Sequence, residues 1–206
     1  TARPKQCIEI CQTELKKKPN DVNTLGVLAQ AQAVMGDSVN AVKNFKLVLK
    51  AAPSRLATYL QLASVLAQEK APAAVATELN AVENAEKDLV ELTLGWLFTR
   101  LNKPDEARIV YERLAENAEA PQDSRQRGRL LLTKSLADAG RIEDALKQVD
   151  LLGSDEKWKK PAQDAKVSLL VAAKRFKDAE KVLQDMRKAA LDEKNSVALG
   201  RLVKPY

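Results

Sequence analysis

The first residues of this chain that could do chemistry are two cysteines near its start, Cys7 and Cys11. Their i, i+4 spacing places both thiols on one face of a helix, where they could bind a soft metal ion or act as a redox pair. The 206 residues contain no histidine and no third cysteine, which disfavours a metal site. Two side chains that point the same way from one helix are poorly placed for a disulfide. We therefore interpret both cysteines as small core residues.

Paired carboxylates are the next candidates for catalysis. Asp105 and Glu106, like Glu143 and Asp144, fall in the first turn of predicted helices. There they interact favourably with the helix dipole and need no catalytic role. The sequence also has no imidazole base, no glycine loop that would hold a phosphate and no nucleophile elbow. These features predict a protein that is not an enzyme and that uses no cofactor or metal.

The charges of the chain are mixed along its whole length. Lysine and arginine number 34 against 28 acidic residues, a net charge of +6. Both signs are interleaved, even around the densest basic groups at residues 16–18, 125–129 and 157–160. This mixing favours a solvated surface over a nucleic-acid interface. Because charge interrupts every apolar stretch, we also expect no transmembrane segment.

The elements that would position these residues are helical hairpins, repeated along the chain. Pro19 and Pro53 are 34 residues apart, and two helical patterns between them are separated by Gly36. Glycine can end a helix in the left-handed conformation. Small residues in the second helices recur at intervals of 34, 32, 38 and 34 residues: Ala41, Val75, Ala107, Ala145 and Ala179. The period predicts an all-α protein built from stacked hairpins.

The pattern within these hairpins resembles the tetratricopeptide repeat (TPR) family. The first full unit has a glycine turn, then alanine and an aromatic residue four positions later (Gly36, Ala41, Phe45). The third combines a leucine–glycine–aromatic first helix with the same alanine–aromatic pair (Leu94, Gly95, Phe98, Ala107, Tyr111). The second and fifth units are more degenerate. The resemblance implies a right-handed α–α superhelix, or solenoid, of stacked TPR hairpins.

The repeat boundaries follow from this alignment. We predict a single array over residues 1–206, in which residues 1–19 form the second helix of a truncated leading repeat. Residues 190–206 would form a partial repeat or a capping helix, and residues 116–125 a longer loop. The five full repeats are predicted at 22–53, 56–87, 88–117, 126–153 and 160–189. An array that opens on a second helix suggests a fragment of a longer bacterial TPR protein; a natural N-terminus with a lone leading helix is the alternative.

The resemblance implies that the first helices line a concave groove that binds a protein or peptide segment. Trp96 is the one large aromatic residue at these positions, and it either forms the centre of the binding site or packs between hairpins. The acidic-tail clamp of TPR co-chaperones needs basic and asparagine residues at set groove positions, and this sequence lacks that set. The groove candidates are Gln30, Leu60, Ser64, Gln68, Leu92, Trp96, Thr99, Arg100, Arg127 and Lys134.

A second interpretation places the array in a larger bacterial assembly. Its alanine- and glutamine-rich repeats are similar to those of TPR lipoproteins in polysaccharide-export and PEP-CTERM-type envelope systems. There the array would act as an architectural or oligomerisation segment. Open repeat ends could also self-associate. The compartment, cytoplasm or bacterial envelope, stays open at this point.

Overall fold

The computed structural model describes the backbone of residues 2–202 and the side chains of residues 3–192. This part of the chain forms α-helices and one short 3₁₀ helix, Glu156–Trp158, and contains no strand. The α-helices are α1 (Ala2–Lys17), α2 (Val22–Val34), α3 (Ser38–Ala51), α4 (Leu56–Leu66), α5 (Pro72–Asn80), α6 (Lys87–Arg100), α7 (Pro104–Glu116), α8 (Gln122–Asp138), α9 (Ile142–Gly153), α10 (Lys159–Ala172) and α11 (Phe176–Leu202).

The chain divides into two compact units, Thr1–Gly128 and Arg129–Tyr206, and the boundary falls within α8. In the first unit, α1 packs on α2, α2 on α3 and α3 on α4; α4 then packs on α5 and α6, and α6 on α7. In the second unit, α9 packs on α10 and α10 on α11. Helices that are neighbours in sequence therefore pack together, which is the arrangement of helical-repeat proteins.

Four of the hairpins turn in the same way. The second residue after the first helix is left-handed at Gly36 (φ 80°), Asn102 (φ 55°), Gly140 (φ 73°) and Lys174 (φ 59°). In each turn the next amide donates to the carbonyl five residues earlier, at 2.8–2.9 Å. This is the Schellman arrangement, which satisfies carbonyls at the helix end. The α4–α5 hairpin differs, because there the Lys70 amide donates to the Leu66 carbonyl.

A repeated pair of residues fills the space between helices. The small residue of each second helix is buried in all five hairpins. The residue four positions later is buried in the first four: Phe45, Leu79, Tyr111 and Val149. In α11 the corresponding residue, Leu183, is exposed. Burial at this position therefore depends on a following helix that covers it, as α4 covers α3.

Two element boundaries differ from the expected ones. Helix α8 begins at Gln122, so the loop before it is shorter than residues 116–125. The reason is that the Pro121 carbonyl accepts the Arg125 amide at 3.0 Å and starts the helix directly after the proline. Helix α11 runs without a break to Leu202, so residues 190–202 continue it and do not begin a new element. Residues 176–199 contain no glycine or proline to end the helix. Residues 203–206 lie outside the described part.

Candidate functional site

An open groove of about 520 Å³ lies between α2 and α4 in the first unit. Helix α2 supplies one wall, and the residue before α4 together with the first turns of α4 supplies the other. The lining residues are Asn23, Gly26, Val27, Gln30, Arg55, Leu56, Ala57, Thr58 and Gln61.

The register of α2 places its groove residues on one face. Asp21 caps the helix: its Oδ2 accepts the Thr24 amide at 2.8 Å and the Thr24 hydroxyl at 2.6 Å. These bonds lower the pKa of the Asp21 carboxyl, so the cap stays ionised. From this start, positions 23, 26, 27 and 30 follow the i, i+3, i+4, i+7 spacing of a single helix face. Leu25, Leu28 and Ala29 are buried on the other side.

The groove carries amide side chains and one cation. The Arg55 guanidinium donates from Nη2 to Asn23 Oδ1 at 2.8 Å. The Arg55 charge also interacts with the Asp21 carboxylate at the start of α2, but its hydrogen-bond partner among residues 3–192 is the neutral Asn23, so the guanidinium can still bind a ligand. Gly26 opens the middle of the groove, because a Cβ built there would meet no atom within 4 Å. The site can therefore accept hydrogen bonds, donate them and bind an anionic group.

Trp96 lies on α6, half-buried, beneath the guanidinium of Arg100. The Cζ atom of Arg100 is 5.1 Å from the centroid of the indole ring, the geometry of a cation–π contact. One turn away, the Thr99 hydroxyl donates to the Gly95 carbonyl at 2.9 Å. The structure thus brings Trp96 and Arg100 together as a partly exposed pair with both aromatic and cationic character.

The remaining candidates from the sequence are scattered, and one needs correction. Leu92 is only 3% exposed and packs in the core of the first unit, so it does not line a groove. Ser64 is exposed but donates its hydroxyl to the Leu60 carbonyl at 2.8 Å. Arg127 is held by Asp123 of the same helix, at 2.8 Å. The other exposed or partly exposed candidates are Leu60, Gln68 and, in the second unit, Lys134.

Of the ten groove candidates, Gln30 is the one that lines the α2–α4 groove; Asn23, Gly26 and Ala57, which the same repeat alignment assigns to the concave face, line it as well. The sequence pattern does not identify Arg55 and Val27, since neither occupies a groove position in the repeat. The sequence does contain one indication of a role for Arg55, because this residue follows the Pro53-Ser54 turn and directly precedes the first helix of the next hairpin. A long side chain at that junction can reach back over the preceding first helix.

The cysteines and carboxylates that were considered first as reactive groups occupy structural positions. Cys11 is buried in α1 and Cys7 half-buried, both as free thiols. Burial, with the neighbouring Cys7, raises the pKa of the Cys11 thiol, which keeps it protonated and unreactive. Asp144 accepts hydrogen bonds from Arg141 at 2.7 and 2.9 Å, and this pairing lowers its pKa.

Metal ligands and membrane spans are both missing from the described residues. No group of three or more histidine, cysteine or acidic side chains is placed to hold a metal ion in this part of the chain. None of its helices combines the length and apolar character needed to cross a membrane.

A second cavity, of about 420 Å³, lies among α9, α10 and α11 in the second unit. Its rim is strongly charged, but the charges pair with one another. Arg175 donates to Glu143 at 2.8 Å and to Asp178 at 2.7 Å, and Lys166 donates to Asp150 at 2.7 Å. Because these charges are already paired, the cavity presents fewer available polar groups to a ligand than the α2–α4 groove does.

The succession of hairpins and turns defines an all-α helical-repeat protein. No protein-family model matches the chain, and no curated protein matches it. Several solved structures do align with the chain. The TPR-like repeats of a putative kinesin light chain from Podospora anserina align with a TM-score of 0.53 at 16% identity, over 86% of this chain and 98% of that one. A TPR protein from Parabacteroides merdae aligns with a TM-score of 0.50 at 16% identity, over 88% and 71%.

A third solved structure is that of Naa15/Naa10 bound to HypK-THB. It aligns with a TM-score of 0.50 at 14% identity, over 92% of this chain but only 29% of its own. The chain thus spans less than a third of that protein's length. The fold is TPR-like, and the predicted all-α class of stacked helical hairpins is confirmed.

Proposed function

We propose that this protein is a non-catalytic interaction scaffold that binds a segment of another protein in the α2–α4 groove. The observation that carries the proposal is the set of amide side chains, Asn23, Gln30 and Gln61, in an open groove beside Arg55. A primary amide both donates and accepts hydrogen bonds, as the peptide backbone does. These side chains suit the main chain of an extended segment, and Arg55 suits a carboxylate on it.

Two further points support the proposal. The Naa15/Naa10 structure is that of a complex bound to HypK-THB, so a protein with this fold is known together with a protein partner. The Trp96–Arg100 pair adds two residue types that are enriched at binding hot spots. We therefore propose Trp96 as a second contact for the same class of ligand.

The test uses Gly26 to fill the groove from within. Random linear peptides displayed on phage are selected on the 206-residue protein, and the selected peptides are measured by fluorescence anisotropy. We expect Gly26→Trp to abolish binding without loss of stability, because the space around Gly26 is open. Gln30→Ala and Gln61→Ala should each weaken binding.

The matched control is Ala73→Trp, which adds the same side chain at an exposed position of α5. It should leave the affinity unchanged. Peptides that bind Gly26→Trp as well as the unmodified protein would exclude the α2–α4 groove as the site. Trp96→Ala tests the second contact separately, and unchanged affinity there would remove Trp96 from the proposal.

A further inference from the structure

The outward face of α11 carries a line of exposed side chains that no described element covers. Three are apolar: Phe176 is 62% exposed, Leu183 51% and Leu191 52%. Glu180 and Arg187 lie between them and are also exposed. We call these five residues the α11 stripe.

The stripe is a continuous surface. Its members are separated by four, three, four and four residues, so at 3.6 residues per turn they fall within about 80° of the helix circumference. From Phe176 to Leu191 the stripe extends roughly 22 Å along the helix at 1.5 Å per residue. It is separate from the side that packs on α10, where Ala179 is buried.

The position of Leu183 in the repeat indicates what kind of surface this is. Its counterparts Phe45, Leu79, Tyr111 and Val149 are all buried. Phe45, for example, lies on α3, which packs against α4. Leu183, at the middle of the stripe, therefore occupies a position that is buried in the other four hairpins.

We propose that the helix that covers the α11 stripe is α11 of a second copy of this protein, in an antiparallel pair. A twofold interface is self-complementary: when one residue contacts a second residue of the other copy, the second residue of the first copy makes the same contact in return. The stripe can satisfy this condition with a twofold axis that passes between residues 183 and 184. Phe176 and Leu191 are equally distant from that axis, and so are Glu180 and Arg187. Antiparallel pairing thus places Phe176 on Leu191 of the second copy and Leu183 beside the axis.

The charges favour the antiparallel orientation over the parallel one. Antiparallel pairing sets Glu180 against Arg187 twice, whereas parallel pairing would set each against its own copy. Glu180 accepts only a hydrogen bond from Gln184 of the same helix, at 3.3 Å. Within the described side chains, neither Glu180 nor Arg187 forms an ion pair, so both are free to pair across the interface.

The first experiment is sedimentation velocity of the 206-residue protein over a concentration series. We expect a reversible monomer–dimer equilibrium. Leu183→Glu should raise the dissociation constant by at least about tenfold, because it places two like charges at the centre of the interface. Ile109→Glu is the control: Ile109 is 55% exposed but lies on α7, outside the stripe. It should leave the equilibrium unchanged.

The second experiment reverses the charges. Glu180→Arg and Arg187→Glu should each be monomeric alone, since each variant brings like charges together across the interface. Mixed in equal amounts, the two variants should form a heterodimer in which opposite charges face each other again. The double variant should again form homodimers. Circular dichroism checks that every variant is folded, as expected for exposed positions.

Three results would overturn the proposal. They are a protein that stays monomeric over the whole series, a dimer that persists in Leu183→Glu, and two charge variants that fail to associate when mixed. Species that grow beyond the dimer would also contradict a closed twofold pair. The proposal is independent of the α2–α4 groove, so failure of one leaves the other in place.

Discussion

The backbone of Gly95 in α6 lies directly against the ring of Tyr111 in α7. A Cβ on residue 95 would be 2.3 Å from Tyr111 Cε1 and 2.8 Å from its Cδ1 and Cζ atoms. Carbon atoms in contact are ordinarily about 3.5–4.0 Å apart. Only glycine therefore allows the ring to occupy the space between these two helices.

We predict that Gly95→Ala destabilises the protein by about 1–3 kcal/mol, since the added methyl must displace a buried aromatic ring. The matched control is Gly26→Ala, also inside a helix but with open space around it. There alanine should stabilise by about 0.5–1 kcal/mol, because it restricts the unfolded chain more than glycine does. Urea denaturation measures both. Equal effects of the two variants would contradict the assigned role of Tyr111.

The left-handed turn residues give a pair of opposite predictions. Lys174 has a φ of 59°, a conformation that is strained for a residue with a Cβ. We expect Lys174→Gly to stabilise by up to about 1 kcal/mol, because glycine adopts this conformation without strain. Gly140 has the same conformation at its own turn, so Gly140→Ala should destabilise by about 1–2 kcal/mol. Thermal unfolding followed by circular dichroism tests both, and shifts of the same sign would refute the explanation.

Tyr59 connects two hairpins through its hydroxyl group. The side chain is fully buried, and its oxygen accepts the Glu86 amide at 3.0 Å just before α6. Tyr59→Phe should destabilise by about 1–3 kcal/mol, because that amide loses its partner. Tyr111→Phe is the control: its hydroxyl is 3.3 Å from Thr99, which already bonds to a carbonyl. Its effect, read from the midpoint of urea unfolding, should be smaller than that of Tyr59→Phe.

Glu78 lies between two lysines from different elements. Lys46 of α3 donates to it at 2.7 Å, and Lys70 of the α4–α5 turn donates to its other oxygen. These bonds lower the pKa of Glu78 from 4.5 to about 2. Because the folded-state pKa lies below the unfolded one, the stabilisation is complete above pH 4.5 and is lost as the pH falls towards 2.

We therefore predict that Glu78→Gln lowers stability at neutral pH by about 1 kcal/mol or less, as is typical of partly exposed ion pairs. The difference from the unmodified protein should shrink between pH 4.5 and pH 2. Urea unfolding at a series of pH values measures it. Glu83→Gln, which removes the more exposed pair with Lys50, is the control and should have the smaller effect. A difference in stability that does not change with pH would show that Lys46 and Lys70 do not stabilise the ionised form of Glu78.

The amino-acid sequence determined the repeating unit. Small residues such as Ala41, with a larger residue four positions on, allow two helices to approach and fill the gap to the next. Because this packing is a property of local spacing, the period of the pattern was enough to predict all-α hairpins. Asn102 and Lys174 show that the left-handed turn conformation also forms in this chain without glycine.

Tertiary structure alone decided which side chains a ligand or a partner can reach. Leu92 and Gly26 are equivalent in the repeat, since each lies 15 residues before the small residue of its second helix, Ala107 or Ala41. Leu92 is nevertheless buried, whereas Gly26 lies in the groove. Leu183 and Phe45 are likewise equivalent, but only Phe45 is covered. Exposure depends on the neighbouring helix and not on the residue itself, and a repeat pattern assigns every unit the same neighbours. The α11 stripe occurs where that assumption fails, because no described helix covers Leu183.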